Sequence, residues 1–385
     1  MSIYLDNAAT TAVCPEAVQA ALDAMTVQYA NPGSPHAMGR AAAALVERGR
    51  AQVAAALDCR PEELFFTSCG TEGDNWALRR GAEYNARHGR HILSSRVEHP
   101  AVLRTLEELE ARQGFALTLL KPEKDGSVSP EAVLEALRED TCLVSLMSVN
   151  NETGAVTDIA AIARAVRARC PHALIHTDAV QAFLHVPLSA RNLGADLITL
   201  SGHKVHAPKG IGALYIRKGL NLPALLTGGG QEGGRRSGTP AVELIAAFGA
   251  AAEAGARCFS EDSARMAALR AHMAGRLEAE NPGLLLLGGG APQLLSLSLP
   301  GWRSEVLMNF LEARDICVAR SSACKRGGRS QVLSAMGLPG EVIDGALRVS
   351  LSRYTTREEA DAFCDALREA RGRIRTSVQN RFAGF

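Results

Sequence analysis

Leu174-Ile-His-Thr-Asp-Ala-Val-Gln181 and Leu197-Ile-Thr-Leu-Ser-Gly-His-Lys204 follow one pattern: a short apolar run that ends in small polar residues. Such a run, too short for a helix and bounded by turn residues, reads as a buried strand leaving a sheet. The same pattern recurs upstream, with strands expected at 63–67, 91–95, 116–120 and 141–149, then at 174–176 and 197–200. Helical apolar periods at 15–25, 39–57, 72–85, 101–113, 130–137 and 159–169 precede or separate them. Strands alternating with helical stretches of about 10–15 residues imply β-α-β units and a parallel sheet, so the fold class is α/β.

After about residue 255 the texture changes. A charged, Ala-rich helix is expected over 261–280, paired strands at 284–287 and 294–299, helices at 305–313 and 358–375, and a strand at 348–351. That order suits a smaller α+β unit. The Gly-rich stretch 228–238 reads as the one loop free to move.

The 385 residues carry 42 basic and 41 acidic side chains, a formal net charge of +1. That balance excludes a chain that binds nucleic acid through overall positive charge. With 46% hydrophobic residues the chain is an ordinary globular one, of two domains or one large one. No stretch reaches the ~20 clean apolar residues of a membrane span, and the first residues lack a secretory pattern. Nine cysteines without CxxC spacing argue for a reducing, cytoplasmic compartment rather than a disulfide framework or a zinc site.

The chemistry gathers at strand ends. Ser201-Gly-His-Lys-Val-His-Ala-Pro-Lys-Gly-Ile-Gly212 follows a strand directly and holds Lys204, one of only six lysines. A lysine can lose its proton and form an imine, which an arginine cannot. Asp178 stands where open α/β sheets bind ligands, placed to keep a pyridine nitrogen protonated. Thr67-Ser-Cys-Gly-Thr-Glu72 is a strand, a tight turn and a helix start, and the backbone N–H groups of such a start cradle phosphate. Taken singly, Lys204 reads equally as an exposed turn lysine and Asp178 as a helix cap. Together the three describe a site for pyridoxal 5'-phosphate.

These residues extend into a longer series. Tyr4-Leu-Asp-Asn-Ala-Ala-Thr-Thr11, Asn31-Pro-Gly-Ser34, Phe66-Thr-Ser-Cys-Gly-Thr-Glu-Gly-Asp-Asn75, Glu98-His99 and Val149-Asn-Asn-Glu-Thr-Gly154 precede the two strand ends. Arg236-Ser-Gly-Thr239, Ser322-Ala-Cys324 and Arg348-Val-Ser-Leu351 follow them. Across nearly its whole length the chain resembles the NifS/IscS-like cysteine desulfurases of the class V aminotransferase family, with PLP fold type I. The resemblance implies a large domain (15–257) with a mainly parallel seven-stranded sheet between helices. It also implies a small α+β domain (1–14 and 258–385) carrying the catalytic cysteine loop.

The resemblance further implies residue roles. Lys204 would anchor the cofactor, Asp178 pair with its ring nitrogen, Gln181 and Asn151 lie by its ring hydroxyl, and His99 stack on the ring and assist proton transfer. Gly70, Thr71, Ser201 and His203 would hold the phosphate, with Thr239 reaching it from the other subunit of a homodimer. Arg348 would clamp the carboxylate of L-cysteine, with Asn31 nearby. Cys324 would take the substrate sulfur as a persulfide, releasing L-alanine, and deliver it to an acceptor protein for iron–sulfur cluster assembly or for tRNA or cofactor thiolation. No metal site, membrane contact or direct nucleic-acid contact is expected.

Cys324 sits among Arg320, Lys325 and Arg326, and such cations favour thiolate. The loop is shorter and more basic than the family's, which suits an acidic carrier surface or a thiolation enzyme. The other eight cysteines read as inert, Cys69 less simply because it adjoins the phosphate turn. His206 reads as packing beneath the turn, and His36 as a packing residue or part of the substrate mouth. The Ser-Ala-Cys loop favours sulfur chemistry over a transaminase, lyase or selenocysteine lyase on the same scaffold. A non-catalytic scaffold would have lost Lys204, Asp178 or Cys324.

Overall fold

A computed structural model describes residues 2–321 and 328–374; Cys324 lies outside the described residues. Seven strands form the main sheet: β1 (Leu64–Thr67), β2 (His91–Ser95), β3 (Ala116–Leu120), β4 (Thr141–Ser145), β5 (Leu174–Asp178), β6 (Leu197–Ser201) and β7 (Gly212–Ile216). Their order is β1-β7-β6-β5-β4-β2-β3. All neighbouring pairs are parallel except those made by β7, which runs antiparallel to both β6 and β1. The mainly parallel seven-stranded sheet that the resemblance implies is therefore present.

Alternation along the strands builds two layers. Leu93, Val144, Ile175 and Ile198 face one apolar core, and their neighbours Ile92, Leu143, Leu174 and Leu197 face another. Helices Gly70–Asn85 and Pro100–Gln113 close the second layer. Helices Pro15–Thr26, Ala37–Leu57 and Ile159–Arg169, with the start of Val242–Glu280, close the first. Burial on both faces is the reason these strands read as continuous apolar runs.

The C-terminal third forms a second core. An antiparallel sheet joins Ala319–Arg320, Ala346–Ser350, Leu294–Ser298 and Leu285–Leu286 in that order. Helices Ser304–Glu312 and Arg357–Arg373 pack on it, with Leu5 from the N-terminal arm. Val242–Glu280 is one helix of 39 residues, not the shorter helix expected over 261–280. Its first half feeds the large core and its second half, from Met266 to Leu277, the small one. The division drawn at 257/258 thus falls inside a continuous helix. Glycines disguised it: a Cβ on Gly249 would stand 2.6 Å from the Gly49 Cα, so two helices approach closely there.

Two further expectations shift. The ladder of β4 ends at Ser145 although the apolar run continues to Val149, because Met147 and Val149 line a cavity instead. The Gly-rich stretch 228–238 is tied down by ion pairs: Arg50 holds Glu232 through two 2.7 Å hydrogen bonds, and Arg236 holds Glu72 at 2.9 Å. Among the described residues no helix is long and apolar enough to cross a membrane.

Candidate active site

Six of the seven strands run one way, so β1, β2, β4, β5 and β6 deliver their following turns to one edge of the sheet. A cavity of about 330 Å³ opens there. Ten of the thirteen expected site residues line it: Gly70, Thr71, His99, Asn151, Asp178, Gln181, Ser201, His203, Lys204 and Arg348. A larger open groove of about 760 Å³ lies at the other end of the sheet, bordered by Pro171, Ala195 and Arg217, and holds none of them.

Lys204 follows β6 on a single helical turn, Gly202–Lys204. Its Nζ donates to the carbonyls of Ala8 and Ala9 at 2.6 and 2.8 Å. Gln181 Nε2 donates to the same Ala8 carbonyl at 2.9 Å. The N-terminal arm thus supplies a wall of the cavity that motif reading left without a role.

Asp178 ends β5, is 6% exposed and accepts the Val180 N–H at 2.9 Å. Burial pushes its carboxyl up, while His99 and Lys204 pull it back. His99 caps helix Pro100–Gln113, its Nδ1 accepting from the Ala101 N–H at 3.2 Å. An accepting Nδ1 leaves the ring proton on Nε2. Burial holds the ring neutral, and Lys204 adds to that while Asp178 opposes it. His203 is also held neutral, pushed down to about 4 by burial and by Lys204 and Lys209.

The phosphate end is open in a specific way. Gly70 begins helix Gly70–Asn85, and a Cβ on it would stand 2.9 Å from Val180 Cγ2. Ser201 Oγ is buried beside this turn without a hydrogen-bond partner. A helix start with free N–H groups and an orphaned hydroxyl fits a phosphate. With Lys204 for the aldehyde and Asp178 for the ring nitrogen, the donor set fits pyridoxal phosphate.

Arg348, on the central strand Ala346–Ser350, is 4% exposed. Its Nη2 donates to Asp6 Oδ1 at 2.8 Å and its Nη1 to the Asn151 carbonyl at 2.9 Å. Its Nε is fully enclosed without a partner. Glu152, beside Asn151, is pushed up to about 7 by burial and accepts a hydrogen bond from Ser330, the cap of helix Gln331–Ala335.

Two expected residues lie elsewhere. Asn31 is exposed, its Oδ1 accepting from the Gly33 N–H at 2.9 Å. Thr239 is exposed and borders a separate shallow pocket with Arg236. Cys324 is outside the described residues. Two basic residues close to it in sequence are engaged: Arg320 pairs with Glu305 at 2.6 Å and Arg329 with Asp344 at 2.8 Å. His36 caps helix Ala37–Leu57, and His206 packs beneath the turn, its Nδ1 donating to the Ala12 carbonyl at 2.8 Å. The site also contains Asp74 and Cys69, to which motif reading gave no role. A lone Asp four residues past Gly70, on the buried face of an amphipathic helix, was the available signal for Asp74.

A family model, aminotransferase class-V, matches residues 3–363. The chain is 42% identical over 364 residues to cysteine desulfurase 2 of Trichormus variabilis, covering 93% of this chain and 90% of that one. It is 39% identical over 379 residues to cysteine desulfurase IscS of Methanosarcina thermophila, covering 97% and 93%. Among solved structures, a NifS-like protein superposes with a TM-score of 0.91 at 36% identity, over 97% of this chain and all of that one. The chain belongs to the class-V aminotransferase family, and its cofactor is pyridoxal phosphate. Within that family it is one of the cysteine desulfurases.

Proposed function

We propose that this chain converts L-cysteine to L-alanine, with Lys204 anchoring pyridoxal phosphate and Cys324 receiving the sulfur. One observation carries the reading: Lys204, Asp178 and His99 meet in a single cavity with a phosphate-fitting helix start and a buried arginine. Once bound, the cofactor withdraws electrons from the substrate's α-carbon. Asp178 keeps its ring nitrogen protonated, and Gln181 and Asn151 orient the ring hydroxyl. Gly70, Thr71, Ser201 and His203 hold the phosphate.

Arg348, which lines the cavity, orients the substrate by its carboxylate. The Lys204 amine, once the substrate amine has taken its place on the cofactor, would serve as the base for the α-proton. The neutral ring of His99 carries a proton on Nε2 and serves the transfers that follow. The thiolate of Cys324 attacks the substrate sulfur. The S–S bond forms, the carbon–sulfur bond breaks, and its electron pair stays on the β-carbon, which takes a proton to give alanine. The sulfur leaves on Cys324 as a persulfide, with no outside oxidant.

The chain works as a homodimer in which Thr239 completes the partner's phosphate site. Val18, Leu22 and Met25 on one exposed face of Pro15–Thr26, with Tyr29 beyond it, suit such a contact. The acceptor is a protein of the iron–sulfur assembly or thiolation type, meeting the basic loop with an acidic surface. The eight described cysteines are all free, as a reducing cytoplasm requires.

Absorption spectra and product assays of two variants test the reading. Lys204→Ala abolishes the visible band of the bound cofactor. Cys324→Ala keeps that band and stops sulfide release; full sulfide output from it would overturn the persulfide role.

A further inference from the structure

Asp74 is a buried carboxyl of the cavity that the reaction above does not use. It lies in helix Gly70–Asn85, lines the cofactor cavity and is 1% exposed. One of its carboxylate oxygens, one of Asp178's and a ring nitrogen of His99 all lie within 4.8 Å of one another. Its Oδ1 is fully enclosed without a hydrogen-bond partner, 3.6 Å from His176 Nε2.

Two carboxylates this close in a buried site do not both stay ionised. Their surroundings decide which one holds the charge. Asp178 has the Val180 N–H, His99 and Lys204 to stabilise it. Asp74 has the Thr199 hydroxyl on its side, while Asp178, Glu98 and Cys69 oppose its charge. His176 supplies no cation, because burial pushes it down to about 3. Its ring is engaged by Ser145 Oγ at 2.8 Å and Thr199 Oγ1 at 3.0 Å. Burial pushes Asp74 well above the usual carboxylate range.

We propose that Asp74 is a positioning residue, a neutral carboxylic acid whose proton is directed toward Asp178 and leaves that pair with one negative charge, on Asp178, for the cofactor ring nitrogen. The separation is one that a single bridging water spans. The inference rests on the proposed role of Asp178. Hydrogen bonding to the charged form keeps a carboxylate ionised to lower pH, so Asp74 widens the pH range over which the cofactor is held.

The test is equilibrium binding of pyridoxal phosphate to apoprotein, followed by absorbance from pH 5 to pH 8, for the native chain, Asp74→Asn, Asp74→Leu and Asp178→Asn, with circular dichroism to confirm folding. Asp74→Asn stays neutral and can still donate, so its affinity stays within about threefold of the native value. Asp178→Asn loses about a hundredfold or more. Asp74→Leu cannot donate, so its affinity falls off about one pH unit higher than the native chain's during acidification. If Asp74→Asn falls as far as Asp178→Asn, Asp74 carries the charge and the proposal fails. If folded Asp74→Leu follows the native pH profile, Asp74 does not act on Asp178 and the proposal also fails. Should Asp74→Leu not fold, the comparison of the two Asn variants decides. A native chain that binds no cofactor overturns the reading of Lys204 and Asp178 itself.

Discussion

The Arg348 guanidinium lies 2.8 Å from the carboxylate of Asp6, a residue of the N-terminal arm 342 positions away in the chain. The contact joins the small antiparallel sheet to the arm that also receives Lys204. It also shows that the guanidinium already holds a carboxylate at the cavity wall. Lysine offers one point charge where Arg348 offers a fork with donors on three nitrogens. Arg348→Lys is expected to lower kcat/KM for L-cysteine about ten- to a hundredfold, with the cofactor band unchanged. Steady-state kinetics on the loaded protein check this.

Gly70 is required by Val180. An added Cβ would meet Val180 Cγ2 at 2.9 Å, in the turn that holds the phosphate. Gly70→Ala is expected to weaken pyridoxal phosphate binding about tenfold, as overpacking does at ~1–3 kcal/mol. Adding Val180→Ala removes the clash and restores most of the affinity. Absorbance titration of the apoproteins reads both effects.

Glu98 gives a pH prediction. Ser95 Oγ donates to its Oε1 at 2.5 Å, its Oε2 is buried without a partner, and burial pushes the carboxyl up to about 8. Below about pH 4.5 folded and unfolded chains both carry the proton, so the residue adds no pH dependence there. Between pH 4.5 and 8 the unfolded chain releases the proton that the folded chain keeps, and stability falls as pH rises. Glu98→Gln removes that loss. Its melting temperature should gain on the native chain progressively from pH 4.5 to pH 8, as read by calorimetry of apoprotein.

The cysteines should separate by reactivity. Burial pushes Cys59, Cys142 and Cys364 up to about 12 and raises Cys14 and Cys170. Thiols held that high carry almost no thiolate at neutral pH. Brief alkylation of the native protein at pH 7, followed by peptide mass spectrometry, should leave these five unmodified. The same treatment should modify Cys324, whose neighbours Lys325 and Arg326 favour thiolate.

Much of this site could be read from the chain because strand ends in a parallel sheet combine an apolar run with an abrupt polar turn. Asp178, Lys204 and Gly70 all carry that contrast. The strand Gly212-Ala-Leu-Tyr-Ile216 was missed, because it follows a Gly- and Pro-containing turn, and only hydrogen-bond register shows that it runs antiparallel. The end of β4 was also hidden, since Met147 and Val149 are apolar for the cavity and not for the ladder. Helix Val242–Glu280 looked broken because Gly249 and Gly255 serve close packing rather than a turn. Asp74 escaped notice because its role depends on Asp178, more than a hundred residues away. The carbonyls of Ala8 and Ala9 carry no side-chain signal at all.

Borohydride reduction of the pyridoxal-phosphate-loaded protein, followed by peptide mapping, tests the central claim most directly. Reduction makes the lysine–cofactor bond permanent, and the chain has only six lysines to distinguish. The account predicts one modified peptide, carrying the phosphopyridoxyl group on Lys204. Modification at another lysine, or none in a chain that releases alanine from L-cysteine, would contradict it.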